Sequence, residues 1–175
     1  MGGLAAAVAR RMRLPGEDLD VVCRAAELHD VGKMAVPDAI LSKTGPLDEQ
    51  EWAFMRRHTI IGERILGAAP ALAPVARLVR SSHERWDGKG YPDRLRGEEI
   101  PLGSRIVAVC DAYDAMVTHR PYREPIAPAD ALEELRRCAG AQFDPAVVEA
   151  FCAEMVVPLG SGESDAGDMA GELAG

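Results

Sequence analysis

The chain has 175 residues, 47% of them hydrophobic and 27% charged, with a formal net charge of -8. That length suffices for one domain with a substantial core, and the composition is that of a globular protein. No uninterrupted apolar run is long enough to cross a bilayer. The start, Met1-Gly2-Gly3-Leu4-Ala5, lacks the charged-then-apolar layout of a secretion signal. No dense basic patch offers a surface to duplex nucleic acid. A cytoplasmic location is the default expectation.

Residues 3 to 13 read as a helix rich in alanine and arginine, broken by Leu14-Pro15-Gly16. A second helix is expected from near Asp18, with an apolar stripe of Val22, Ala25 and Ala26 and with His29 next at helical spacing. From Lys33 to Pro46 the pattern allows a connection with at most one short helical turn. Asp48 and Glu51 resemble a capping box. The helix they open is expected to carry Phe54, His58, Ile61 and Ile65 on one face, with a kink at Gly62. Pro74 suits the first turn of the next helix, which is expected to align Ala76, Val79 and His83.

Residues 84 to 103 form a long polar loop with four glycines and two prolines. Loops of this length inside compact domains are usually functional or disordered, and Trp86, Tyr91 and Leu95 argue against disorder. A strong helix follows, with Ile106, Val109, Cys110, Tyr113, Met116 and Val117 as its core face and Asp111 and Asp114 on the adjoining one. Pro128 and Asp144-Pro145 mark two more helix starts, the last helix running to about Val156. Beyond Pro158 there is no Lys or Arg, while Glu163, Asp165, Asp168 and Glu172 supply four of the eight net negative charges. Such a tail cannot bury enough apolar surface to order itself. The expected domain is therefore residues 1 to 157, all-helical, followed by a disordered acidic tail. The four cysteines form no CxxC pair and read as buried thiols, not as a disulfide frame or zinc ribbon.

Three of the four histidines, His29, His58 and His83, fall on apolar faces of three expected helices, and Asp111 borders the apolar face of a fourth. One histidine in such a place is more often a satisfied core residue. Three, with a carboxylate that needs a partner when buried, suit a divalent metal site built inside a bundle. On pattern alone the metal site and the core reading stand level.

The residues that carry more than this are ordered along the chain. They are His29-Asp30-Val31-Gly32-Lys33, then His58 in Arg56-Arg57-His58-Thr59-Ile60-Ile61-Gly62. They continue with His83-Glu84-Arg85-Trp86-Asp87-Gly88-Lys89-Gly90-Tyr91-Pro92, Asp111-Ala112-Tyr113-Asp114-Ala115-Met116 and Arg120-Pro121-Tyr122-Arg123. Over roughly residues 4 to 152 the set resembles the HD-GYP family, a branch of the HD metal-dependent phosphohydrolases. The resemblance implies an HD-domain helical bundle with phosphodiesterase activity on cyclic di-GMP, opening it to linear pGpG and in many members continuing to GMP. It implies one or two divalent metals, Fe or Mn. Asp30 would bridge two ions, with His29 and Asp111 on one and His58 and His83 on the other. Lys33, four residues after His29 on a continuing helix, would face the same pocket and hold a phosphate oxygen. Arg120 and Arg123 are candidates for further phosphate contacts, against a plain reading as solvent-exposed arginines. Tyr91 and Trp86 offer faces on which guanine could stack, although Trp86 also suits a core cap. The family uses this loop to meet partners, notably diguanylate cyclase domains, and often sits behind sensor or receiver domains.

Two departures from the family pattern are visible. Ser82 stands where many members have a first histidine before His83, and a serine hydroxyl is a poor ligand for iron or zinc. The chain also starts after the position of a histidine that members usually carry upstream of Leu4. That points to a piece of a longer protein or to a reduced domain, and a third metal is not expected. Two alternatives follow. One is a degenerate HD-GYP domain that binds metal, nucleotide or a partner with little turnover. The other is an HD phosphohydrolase acting on another nucleotide.

Overall fold

The structure is a computed structural model, which describes residues 1–119 and 124–156. The all-helical expectation holds: no strand forms among the described residues, and one isolated bridge pairs Ala139 with Phe143. The helices are α1 (Gly2–Arg11), α2 (Gly16–Leu28), α3 (Asp38–Leu41), α4 (Glu49–Arg56), α5 (His58–Gly67), α6 (Ala73–Arg80), α7 (Leu102–Val117), α8 (Pro128–Cys138) and α9 (Pro145–Val156). The acidic tail expected beyond Pro158 lies outside the described residues.

Helix α7 is the axis of the bundle. It carries apolar residues on several faces and is buried on several faces, as such a pattern requires. Ile106, Val107, Val109, Cys110, Tyr113 and Met116 are all buried. Helices α1 and α2 pack on each other and on α7, α6 packs on α2 and α5, and α8 and α9 cover the remaining side of α7. The alanines Ala5, Ala9, Ala25 and Ala26 are fully or almost fully buried and let α1 and α2 approach closely. Phe151 of α9 closes on the ring of Tyr113 at 5.0 Å between centroids. Each such buried large side chain contributes roughly 1.5–3 kcal/mol.

Helix starts follow local chemistry. The Asp48 carboxylate accepts from the backbone of Gln50 and Glu51, and Glu51 accepts from the Asp48 amide, so the expected capping box is present. Asp144 accepts from the Ala146 amide at the start of α9 and pairs with Arg105 at 2.7 Å, which ties α9 to α7.

Several expected details differ. The helix expected to run through His58 breaks at Arg57, not at Gly62. The His58 ring and the Thr59 hydroxyl take the carbonyls of Met55 and Arg56, which interrupts the backbone ladder there. In consequence Phe54 and Ile65 stand half-exposed, not in the core. Helix α6 ends at Arg80, so His83 sits on the turn beyond it, not on the helix face. Ser82 donates its hydroxyl to the Val79 carbonyl there. Helix α2 ends at Leu28, and Val31–Ala35 is a 3-10 turn, not a continuing α-helix. That turn and α3 put two short helical segments into the stretch expected to hold at most one. Of the four thiols, Cys110 and Cys152 are buried while Cys23 and Cys138 are only partly so.

Candidate metal centre and its cleft

The site gathers residues from three element ends and one helix middle. His29 caps the C-terminus of α2, and Asp30 follows in the bridge region with φ -96° and ψ 2°. The chain then tightens into the 3-10 turn, which brings Lys33 back so that its Nζ lies 2.6 Å from Asp30 Oδ2. Lys33 thus reaches the expected pocket by a tighter turn than the one expected. Gly32 makes the arrangement possible. A Cβ there would overlap the His58 carbonyl and the Gly62 amide, so only glycine lets this turn lie directly on α5.

His58 is the first residue of α5, and its Nδ1–H donates to the Met55 carbonyl at 2.6 Å. His29 donates in the same way to the Ala26 carbonyl at 2.9 Å. Each bond fixes a tautomer that leaves Nε2 as the free lone pair, the state a metal ligand needs. His29 Nε2 lies 3.5 Å from Asp30 Oδ2 and 3.5 Å from Asp111 Oδ1, and His58 Nε2 lies 3.7 Å from Asp30 Oδ1. The His83 ring stands 4.9 Å from that of His58. One ligand atom from each of Asp30, His58 and His83 lies within 4.8 Å of the others.

Three atoms in this cluster are buried without a hydrogen-bond partner: Asp30 Oδ1, His58 Nε2 and His83 Nε2. Leaving one buried polar group unsatisfied costs about 1–3 kcal/mol. Unsatisfied acceptors that converge fit a divalent cation by donor type and placement. Nitrogen and carboxylate oxygen, with no thiolate, suit ions of intermediate hardness.

The electrostatics agree with that use. Burial pushes the His83 imidazole down to about 4, with the neighbouring His58 adding to the effect. Burial also lowers His58, against the pull of the Met55 carbonyl. Both rings are therefore neutral near pH 7. Burial pulls His29 down as well, but the carboxylates of Asp111 and Asp30 outweigh it and leave His29 raised. Asp111 is held low because His29 overcomes the cost of its burial. His29 and Asp111 thus each favour the other's charged form, and a cation bound there would compete with a proton for His29 Nε2.

A cleft of about 700 Å³ opens beside His83. Tyr91 stacks on the His83 ring at 5.3 Å and 20°, and burial raises its hydroxyl to about 12. The loop that carries Tyr91 is folded onto its own base. Gly90 lies so close to the backbone of Glu84 and Arg85 that no side chain fits. The Tyr91–Pro92 peptide is cis. The buried Glu84 carboxylate accepts from the Asp93 amide at 2.6 Å, and Asp93 in turn takes Arg80 in a two-pronged pair at 2.7 and 2.8 Å. Trp86 turns away from the cleft. Its ring lies under the Arg105 guanidinium, and its amide donates to the Gln142 carbonyl. Of the two roles open to it, the packing one matches its position.

Sequence reasoning gave no role to Trp52, Arg56 and Arg57, which line this cleft. The available signal was Trp52 four residues before Arg56, a pair that shares a helix face, with Arg56-Arg57 directly preceding His58. Arg120 and Arg123, the expected phosphate contacts, lie outside the described residues. A groove of about 760 Å³ between α8 and α9 contains none of the expected site residues.

Comparison with known proteins decides the family. A model of the HD domain matches residues 1–147. The chain belongs to the HD domain family, in its HD-GYP branch. It is 42% identical over 153 residues to a cyclic di-GMP phosphodiesterase of Thermotoga maritima, covering 86% of this chain and 42% of that protein. It is 44% identical over 138 residues to 3'3'-cGAMP-specific phosphodiesterase 2 of Vibrio cholerae, covering 78% of this chain and 26% of that one. It is 44% identical over 153 residues to the response regulator RpfG, a cyclic di-GMP phosphodiesterase of Xanthomonas campestris, covering 86% and 40%. The HD-GYP chain therefore spans less than half the length of these relatives. Among solved structures, a V. cholerae cyclic GMP-AMP phosphodiesterase superposes with a TM-score of 0.70 at 19% identity, over 89% of this chain and 42% of that one. Bd1817 of Bdellovibrio bacteriovorus does so with a TM-score of 0.70 at 17% identity, over 88% and 49%. These likenesses bear on the fold. No helix among the described residues is long and apolar enough to cross a membrane.

Proposed function

We propose that this HD-GYP domain hydrolyses a 3'-5' phosphodiester of a cyclic dinucleotide, cyclic di-GMP first, in a metal-dependent reaction of second-messenger signalling inside the cell. One observation carries the reading. The orphaned Asp30, His58 and His83 atoms converge at the edge of a cation-lined cleft, beside the His29–Asp111 pair. Asp30, with His29, His58, His83 and Asp111, would hold one or two divalent ions, Fe or Mn. Such ions supply Lewis-acid charge that acidifies water and neutralises phosphoryl oxygens.

The chain's own residues supply the rest. Lys33 stands beside Asp30, where it can donate to a non-bridging phosphate oxygen and stabilise charge that develops there. Arg120 and Arg123 remain proposed as further phosphate contacts. Tyr91, packed on His83 and with the Arg56 guanidinium over its ring, walls the part of the site that would receive the substrate. The Met55 and Ala26 carbonyls keep His58 and His29 in the ligating tautomer throughout. The exposed part of the loop, around Lys89 and Arg94, is proposed as the surface that meets a diguanylate cyclase or another signalling domain.

Ser82 favours a second reading. Its hydroxyl is buried and spent on the Val79 carbonyl, so it offers nothing to a metal. A weakly loaded centre would make the domain a nucleotide or partner binder with little turnover. The test is incubation of the Mn(II)- or Fe(II)-loaded chain, without oxygen, with cyclic di-GMP and with cyclic GMP-AMP, followed by chromatography. Linear dinucleotide formed by the wild type and not by Asp30→Ala supports hydrolysis. Nucleotide bound but intact supports the binder.

A further inference from the structure

The Arg56 guanidinium at the end of α4 is held between two aromatic rings. Its Cζ lies 5.6 Å from the centre of Trp52 and 5.8 Å from the centre of Tyr91. Trp52 is 43% exposed, unusual for the largest side chain in a protein with an ordinary core. Arg56, Arg57, Lys89 and Arg94 line the same cleft, and none is held in an ion pair among the described residues. In a chain of net charge -8, unpaired cations gathered at one place call for an anionic ligand. Only one ring, that of Tyr91, separates Arg56 from His83.

Phosphate charge can be met by any of these cations. A ring-stacked arginine offers something more specific. The Trp52 and Tyr91 ring centres lie 5.6 and 5.8 Å from its Cζ, and its N–H fork is what it has to offer a ligand in the cleft. That fork matches the paired O6 and N7 acceptors of guanine, while adenine presents a donor at the position of O6. A base so held would also find an aromatic face, because Trp52 is exposed at the cleft mouth.

We propose that Trp52, Arg56 and Tyr91 form a guanine-recognition subsite. It takes the base of the nucleotide that lies away from the ligand cluster, and Arg56 reads its O6/N7 edge. The inference rests on the proposed cyclic dinucleotide substrate and names the residue that selects its base.

The test is calorimetric binding of cyclic di-GMP and cyclic di-AMP to the full chain in EDTA, where no hydrolysis occurs. The wild type is expected to bind cyclic di-GMP at least tenfold more tightly than cyclic di-AMP. Arg56→Ala and Arg56→Lys are both expected to lose about tenfold or more for cyclic di-GMP, as expected for a lost bidentate contact to guanine, with little change for cyclic di-AMP. Trp52→Ala should weaken cyclic di-GMP binding as well. Arg56 is exposed, so these variants do not threaten the core. The proposal is overturned by equal weakening of both nucleotides, or by full retention in Arg56→Lys, since either makes Arg56 a phosphate contact. It is equally overturned by variants that bind as the wild type does, or by a wild type that does not bind cyclic di-GMP. Addition of Mn(II) afterwards reads hydrolysis separately. Guanine-selective binding without turnover would refute the phosphodiesterase reading and leave the subsite standing.

Discussion

Gly32→Ala tests whether the turn after His29 is seated on α5 as described. The added methyl would meet the His58 carbonyl and the Gly62 amide, backbone atoms that cannot rotate aside. Forcing a methyl group into a filled space costs about 1–3 kcal/mol, and rigid backbone neighbours place this site at the upper end. Gly32 does not have a positive φ, so alanine recovers about 0.4–1 kcal/mol through the unfolded state. The net loss is about 2 kcal/mol. At about 2–4 °C per kcal/mol for a domain of this size, the melting temperature should fall by about 4–8 °C. Asp30 and Lys33 flank the glycine on the same turn, so affinity for Mn(II) should fall about tenfold or more, as ligands held less well lose affinity on that scale. Thermal melts by circular dichroism and Mn(II) titration read the two effects. Gly3→Ala, with open space around its Cβ in α1, serves as a control that should raise or maintain stability. A Gly32→Ala protein that melts within about 1 °C of the wild type and keeps its Mn(II) affinity would refute the seating.

Glu84→Ala should free the Tyr91 loop from its base by removing the acceptor for the Asp93 amide; faster hydrogen exchange at Asp93 checks this, at a stability cost of about 1–3 kcal/mol. Acidification should destabilise the fold through two carboxylates. The Arg85 guanidinium holds Asp87 at about 2, and Arg80 holds Asp93 below its usual value. Folded values below the unfolded ones mean that their contribution is complete above about pH 4 and is lost as pH falls toward 2. Denaturant melts from pH 6 to pH 3 should show that slope, flattened in Asp87→Asn. Burial raises the Cys110 thiol to about 12, and Cys152 is also buried. A thiol reagent should therefore modify Cys23 and Cys138 first in the native protein, and all four cysteines after denaturation.

The ends of the helices show where sequence reading succeeded. Proline at Pro74, Pro128 and Pro145, together with the Asp48–Glu51 box, places helix starts through local chemistry alone, and all four are where expected. The α7 core face was equally legible, because its burial follows helical spacing. The breaks were not. His58 and Thr59 end α4 by taking carbonyls with their side chains, and His83 lies beyond a helix that stops three residues earlier. Periodicity carries a helix past such points because nothing in the spacing marks a side-chain competitor. The residues expected to meet, His29, Asp30, His58, His83 and Asp111, do lie together in the structure. Helical spacing singles out His29, His58, His83 and Asp111 without deciding between a metal site and a packed core, and the family motif adds Asp30 and groups the five. Trp52 and Arg56 escaped notice because an exposed tryptophan beside an arginine becomes informative only once the cleft places Tyr91 on the far side.

The most direct measurement is metal content per chain after anaerobic dialysis against Mn(II) or Fe(II), for the wild type, His58→Ala and Asp30→Ala. At least one tightly held ion in the wild type, weakened in His58→Ala and lost in Asp30→Ala, is the expected result. A wild type that holds no ion, or an Asp30→Ala protein that holds as much as the wild type, would contradict the metal centre on which the phosphodiesterase reading depends.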